Sequence, residues 1–234
     1  MNDHHLKSPY LVSFKMYKSA TLIKQGLFRM QYVSNLQLLK YVNIRRTIKP
    51  VAPYLALVGH CGTSETLPFL FQYSSTQFEK VFYVPGPHDP PYSWLEQVAK
   101  QFKNIHLLQR DSHYLPEYNL SIVGTTWWNN NSSWAQRGYP ITGNVRGSYD
   151  TNWIQSHVER NVHQYRDTVL LTYHTFPYTY HPSIRLHLYG DDTQPLIYYQ
   201  DQTIKAVNSN NVPTAYMELR LPTIETEERS ERLI

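Results

Sequence analysis

Short apolar runs that stop at a glycine or a polar loop recur along this chain, and they constrain its fold more than any other feature. Tyr54–Val58 reads YLALV and stops at Gly59, and Lys80–Val84 reads KVFYV and stops before Pro85-Gly86. Short continuous apolar runs bounded by turn residues are typical of strands buried on both faces. Such a sheet needs helices to cover it, so the pattern favours an α/β fold.

Segments with apolar residues at helical spacing separate these runs. Helices are predicted at residues 65–78, 92–102 and 152–166. Further strands are predicted at residues 27–38, 105–108, 120–124, 168–172, 185–189 and 195–207, the last with a hairpin turn at Asp201-Gln202. Residues 127–150 lack a clear period and are predicted as a long surface excursion. We expect a single α/β domain over residues 1–234, with a mobile tail at about 225–234.

The composition argues against several classes of protein. The 234 residues are 41% hydrophobic and 17% charged, which indicates a folded chain rather than a disordered one. No apolar run reaches the ~18–20 residues of a membrane span, and the polar start lacks the pattern of a secretory signal. A soluble cytoplasmic protein without a membrane partner is therefore expected. The single cysteine, Cys61, excludes an intrachain disulfide and a cysteine-cluster metal site.

Polar residues and histidines follow the predicted strands. In α/β folds, ligands gather where strands end in loops at the carboxyl edge of the sheet. The five strand-end segments read SNLQ at 34–37, GHCG at 59–62, GPHD at 86–89, YHTFP at 173–177 and GDDT at 190–193. One such segment is an ordinary turn, whereas five in succession indicate a shared site.

In order, spacing and flanking sequence, these five segments resemble the motifs of the calcineurin-like metallophosphoesterase family over about residues 31–207. The resemblance implies a sandwich of two mixed β-sheets flanked by helices. It also implies a hydrolase centre at the strand ends, in which two metal ions ~3.5–4 Å apart polarise a phosphoryl group and generate hydroxide.

Most ligand positions that the resemblance implies carry other residues here. The replaced positions are Asn35 and Gln37 for an Asp and a His, His60 for the bridging Asp, Pro87 for an Asn, and Asp191 and Thr193 for two histidines. His174 is the usual ligand that is kept. Two cations repel each other unless a carboxylate bridges them, so a normal two-metal centre is not expected.

The expected function is therefore that of a catalytically inactive binding or structural protein with a degraded hydrolase site. Its expected partner is a phosphate-containing ligand or another protein. The alternative is a divergent phosphatase or phosphodiesterase that holds one divalent ion, Zn, Mn or Fe, with His60, His174 and Asp191. In this alternative His88 is the general acid and Asp89 orients it.

A second alternative is nucleic-acid binding. The chain has a net charge of +4 and a pI of about 9.0. Trp127, Trp128 and Trp134 are expected to be exposed, where their rings could stack on bases. The positive charges are scattered apart from Arg45-Arg46, whereas nucleic-acid-binding proteins usually cluster them.

Overall fold

The computed structural model describes residues 27–38, 44–127, 143–173, 183–190, 197–199, 204–206 and 214–220. Its helices are α1 (Ile44–Thr47), α2 (Leu67–Gln77), α3 (Tyr92–Ala99) and α4 (Gly143–His163), with a 3-10 turn at Pro116–Tyr118. The strands are β1 (Leu27–Ser34), β2 (Tyr54–Val58), β3 (Lys80–Val84), β4 (Ile105–Leu107), β5 (Asp111–Leu115), β6 (Leu120–Thr125), β7 (Asp167–Thr172), β8 (Ile184–Tyr189), β9 (Ile197–Tyr199), β10 (Ile204–Ala206) and β11 (Thr214–Arg220).

The described strands form two mixed sheets. The six-stranded sheet has the order β10-β11-β1-β2-β3-β4, in which β1 to β4 are parallel and β11 is antiparallel to β1. The five-stranded sheet has the order β5-β6-β7-β8-β9, in which β6, β7 and β8 are parallel and both edge strands are antiparallel to their neighbours. Parallel strands end at the same edge of their sheet, so each sheet collects several strand-end loops at one edge.

Apolar side chains hold the sheets and helices in layers. Ala56 and Phe82 of the first sheet belong to one buried cluster with Leu171 of the second sheet. On the outer face of the first sheet, Leu57 lies in a cluster with residues of α2 and α3, and α4 packs through Ile154 against the second sheet. The central strands are therefore buried on both faces, which is why their sequences are apolar without alternation. The architecture is an α/β sandwich of two mixed sheets with helices outside.

Several predicted elements need correction. The prediction of a surface excursion at 127–150 is wrong for its last residues, because α4 begins at Gly143. The predicted turn at Asp201-Gln202 lies outside the described residues, but the strands on either side of it do not pair as a hairpin, because β9 pairs with β8 of one sheet and β10 with β11 of the other. The sequence pattern does not predict β11, β5 or α1. The tail at 225–234 lies outside the described residues.

None of the helices in the described ranges combines the length and the apolar character needed to cross a lipid bilayer.

Candidate functional site

The carboxyl ends of β1, β2 and β3 are joined by backbone hydrogen bonds. Gln37 N donates to His60 O at 2.7 Å, and Asn35 N donates to Gly59 O at 3.2 Å. Gly59 N donates in turn to Val84 O at 2.8 Å. The first three strand-end segments of the sequence therefore form one continuous surface.

The second sheet joins the same surface through the ends of β7 and β8. Gly190 N lies 3.1 Å from Thr172 O and 3.0 Å from Tyr173 O. The side-chain amide of Asn35 crosses between the sheets and donates from Nδ2 to Gly190 O at 2.7 Å. The convergence of the strand ends that the sequence predicts is therefore present where the residues are described. We call this surface, formed by residues 34–38, 59–62, 86–89, 173 and 190, the strand-end site.

Close packing at the strand-end site requires glycine. Gly59 has φ +62°, and a Cβ at this position would lie 2.1 Å from Cδ2 of Tyr173. A Cβ at Gly86 would lie 2.9 Å from the Cα of Gly59. The loops after β2 and β3 therefore pack backbone to backbone, with the Tyr173 ring against them.

Three of the seven described non-glycine residues with positive φ lie in these loops. Asn35, Gln37 and His60 have φ values of +47°, +43° and +49°. Positive φ is uncommon for residues other than glycine and costs energy, so it persists where the surroundings impose it. Asn tolerates this region better than most residues, because its short polar side chain can form local hydrogen bonds.

The Asp89 carboxylate ties two loops together. Its Oδ2 accepts hydrogen bonds from Gly86 N at 2.7 Å and from His60 N at 3.1 Å. Burial raises the pKa of this carboxyl from 3.8 to about 6, and the bonds from backbone N–H groups reduce the rise. The carboxylate thus accepts hydrogen bonds from the backbone of both loops. Its expected role in orienting His88 stays a prediction.

Two imidazole rings lie side by side on this surface. The ring centroids of His60 and His88 are 4.2 Å apart, and that of His60 is 5.1 Å from the Tyr173 ring. His88 is exposed, whereas Pro87 before it is buried. The proposed general acid is therefore reachable from solvent.

The described positions do not fit a two-metal centre. An imidazole at His60 cannot supply the negative charge that a bridge between two cations needs. Asn35 offers a neutral amide oxygen where a carboxylate is needed, and Pro87 has no side-chain oxygen. Within the described ranges, no group of three or more His, Cys, Asp or Glu residues is placed to hold a metal ion.

The expected single-metal set is divided between described and undescribed residues. His60 lies in the strand-end site, whereas the other two members, His174 and Asp191, lie outside the described residues, as does the replaced ligand position Thr193. The single-metal set therefore stays a prediction.

Sequence reasoning missed the residues beneath and beside the site. Tyr83 and Cys61 are buried under the loops, where burial and the Asp89 carboxylate raise the pKa of both groups. Cys61 is a free thiol. The hydroxyl of Thr126 lies 2.6 Å from both Pro85 O and Gln109 Oε1, which links the loop after β3 to the second sheet. The sequence signal for this contact is Thr126, in the GTTW segment at the end of the predicted strand 120–124.

One residue that supported nucleic-acid binding has a different environment from the one expected. Trp127 is 7% exposed and packs in the cluster beneath α4, where its Nε1 donates to Thr151 Oγ1 at 3.1 Å. The expectation that Trp127 is exposed is therefore wrong. Trp128 and Trp134 lie outside the described residues.

Comparison with known proteins gives a fold but no activity. No protein-family model matches the chain. An uncharacterized protein of Acanthamoeba polyphaga mimivirus is 33% identical over 91 residues, a match that covers 33% of this chain and spans 32% of that protein's length. A solved crystal structure superposes with a TM-score of 0.51 over 82% of this chain and 95% of that chain, at 12% sequence identity. At this identity the likeness shows the fold alone, an α/β sandwich.

Proposed function

We propose that the chain is a catalytically inactive protein with a metallophosphoesterase-like sandwich fold, and that it acts by binding a ligand or protein at the strand-end site. The observation that carries the proposal is that polar side chains of this site bond to the protein's own backbone. Asn35 bonds to Gly190, and Asp89 bonds to the backbone of Gly86 and His60. An amide at a position equivalent to a metal ligand, together with the Asp89 carboxylate, thus holds the loops to one another.

The helix, sheet, sheet, helix layering supports the fold part of the proposal. The sheets pack face to face through apolar side chains, and the parallel strands of each sheet bring their carboxyl ends to the strand-end site. The positive φ values of Asn35, Gln37 and His60 support the binding part, because strained backbone clusters at ligand clamps and active sites.

A hydrolysis assay tests the absence of catalysis. We expect no turnover of phosphomonoesters or phosphodiesters by the purified full chain, with or without added Mn²⁺. The single-metal alternative predicts turnover that both His88→Ala and His174→Ala abolish. Turnover with this dependence would overturn the proposal and establish the alternative. His163→Ala, which changes an exposed histidine at the end of α4, is the matched control.

Rebuilding the ligand set tests the fold assignment separately. The combined variant carries Asn35→Asp, Gln37→His, His60→Asp, Pro87→Asn, Asp191→His and Thr193→His. If the strand ends meet as in the resembled family, this variant gains two dication sites and a higher melting temperature with Mn²⁺, since a ligand that binds the native state alone stabilises it. A folded variant without a metal-dependent shift in melting temperature would contradict the assignment.

A further inference from the structure

A second pair of histidines lies away from the strand-end site, where the edges of the two sheets meet. His106 is on β4, the edge strand of the first sheet, and His113 is on β5, the edge strand of the second. Their ring centroids are 3.9 Å apart and both rings lie against Phe82, at 5.6 and 5.7 Å. The two edges are thus joined by contact between imidazole rings.

The surroundings of this pair favour uncharged rings. Burial lowers the pKa of His106 to about 4 and also lowers that of His113, and the ring of each lies near that of the other. Nε2 of His106 is buried and has no hydrogen-bond partner among the described residues. A proton added to this ring would therefore bring an uncompensated charge into the contact.

Charged groups approach the pair from several elements. Lys80 of β3 lowers the pKa of both rings, whereas Asp111 of β5 and Glu117 of the 3-10 turn raise that of His113. A cavity of about 250 Å³ beside the rings is also lined by Tyr92 and Glu96 of α3 and by Lys100, which directly follows that helix. Glu96 and Lys100 form an ion pair at 3.1 Å, so the carboxylate of Glu96 is already engaged.

We propose that the His106–His113 contact is an acid-sensitive latch, which holds the two edge strands together while both rings are neutral and releases them when the rings are protonated. Two like charges at this separation repel, and each protonated ring gains hydration by leaving the contact. A shared metal ion is a poorer explanation, since the two rings are tilted by 36° and no group of three or more His, Cys, Asp or Glu among the described residues is placed to hold one.

The latch is connected to the strand-end site. Residues 108–110 form the short loop that connects β4 to β5. In this loop, Gln109 Oε1 accepts a hydrogen bond from Thr126 N at 3.1 Å. The Thr126 hydroxyl contacts Pro85 O, directly before the loop that carries His88 and Asp89. Release of the latch therefore displaces a residue that supports the strand-end site.

Amide hydrogen exchange measured by NMR on the full chain tests the latch. Rates at pH 7 and pH 5 are divided by the intrinsic exchange rate at each pH, so that the comparison reports on opening. We expect the protection of β4 and β5 amides to fall about tenfold more than that of β2 amides, since each unit of pKa difference corresponds to tenfold in the opening equilibrium. Equal changes in the three strands would overturn the proposal.

Two variants separate the latch from general acid sensitivity. His106→Phe combined with His113→Phe keeps the ring packing without a titrating group, and it should abolish the extra loss of protection. His157→Gln is the matched control, because His157 also contacts β5, from α4, at 3.2 Å from Ser112. Since His157 is not part of the His106–His113 pair, this variant should retain the extra loss. If the double variant does not fold, His106→Gln combined with His113→Gln replaces it. An extra loss that survives removal of the imidazoles contradicts the latch.

Discussion

The strand-end site and the latch both carry a close pair of imidazole rings, but different forces hold the two regions. At the strand-end site, hydrogen bonds from Asn35 and to Asp89 fix the loops around His60 and His88. At the latch, ring packing joins His106 to His113, and a buried ring nitrogen has no hydrogen-bond partner among the described residues. The first region should respond to changes of shape and to lost hydrogen bonds, and the second to protonation of an imidazole.

The largest effect on the strand-end site is expected from Gly59→Ala. A residue with a side chain at positive φ costs about 1–2 kcal/mol, and the overlap with Tyr173 costs about 1–3 kcal/mol more. The free energy of unfolding, measured in urea, should therefore fall by about 2–5 kcal/mol. Gly62→Ala is the control, because its Cβ would meet Oγ1 of Thr66 rather than a ring. Equal losses in the two variants would show that the packing at Gly59 is looser than described.

Asp89 gives the strand-end site a pH dependence of its own. Its pKa is about 6 in the native state and 3.8 in the reference state, so the native chain keeps this proton between about pH 4 and 6. The stability from Asp89 is thus fully present below pH 3.8 and is lost as the pH rises through 6, by about 3 kcal/mol in total. Denaturation of Asp89→Asn at a series of pH values should lack this component. An unchanged profile would place the carboxyl in a solvated environment.

His187 is intermediate between the two regions, because it is a neutral histidine that also has a hydrogen-bonding partner, Thr172 Oγ1 at 2.8 Å. Burial lowers its pKa from 6.5 to about 4. Its contribution to stability is present above pH 6.5 and is lost as the pH falls toward 4, by about 2 kcal/mol between pH 7 and 5. His187→Gln should lose that part of the acid sensitivity in denaturation experiments. A variant as acid-sensitive as the parent chain would assign the effect to other groups.

Asn35→Asp tests the bond between the two sheets. The replacement removes the Nδ2 donor to Gly190 O and places an acceptor oxygen opposite an acceptor. Asp tolerates positive φ about as well as Asn, so backbone strain is matched. The free energy of unfolding should fall by about 1–3 kcal/mol at pH 7. No change in the urea midpoint would mean that water replaces this bond at no cost.

The sequence predicts the interior of the fold better than its boundaries. The β2 and β3 runs are apolar on both faces, so their burial could be predicted directly. The first part of α4 carries Gly143 and Gly147, which have low helix propensity, and packing of the later turns determines that helix. Almost the whole chain separates β11 from β1. Pairing between strands so far apart leaves no signal in the local sequence.

The candidate site divides in the same way. Chain order and spacing predict that the loops with His60 and His88 meet, and the structure brings these rings together. The contact between Tyr173 and Gly59 could not be predicted, because it depends on a positive φ and on the separation of two sheets. Burial of Trp127 could not be predicted either, because the α4 residues that cover it, such as Ile154, are distant in sequence and no local pattern links them to it.

Metal content measured on the purified full chain tests the central claim most directly. The claim is that hydrogen bonds within the protein, rather than a two-metal centre, hold the strand-end loops together. Elemental analysis after purification without a chelator should find less than one tightly bound metal ion per chain. Two equivalents of manganese, iron or zinc per chain would contradict the account.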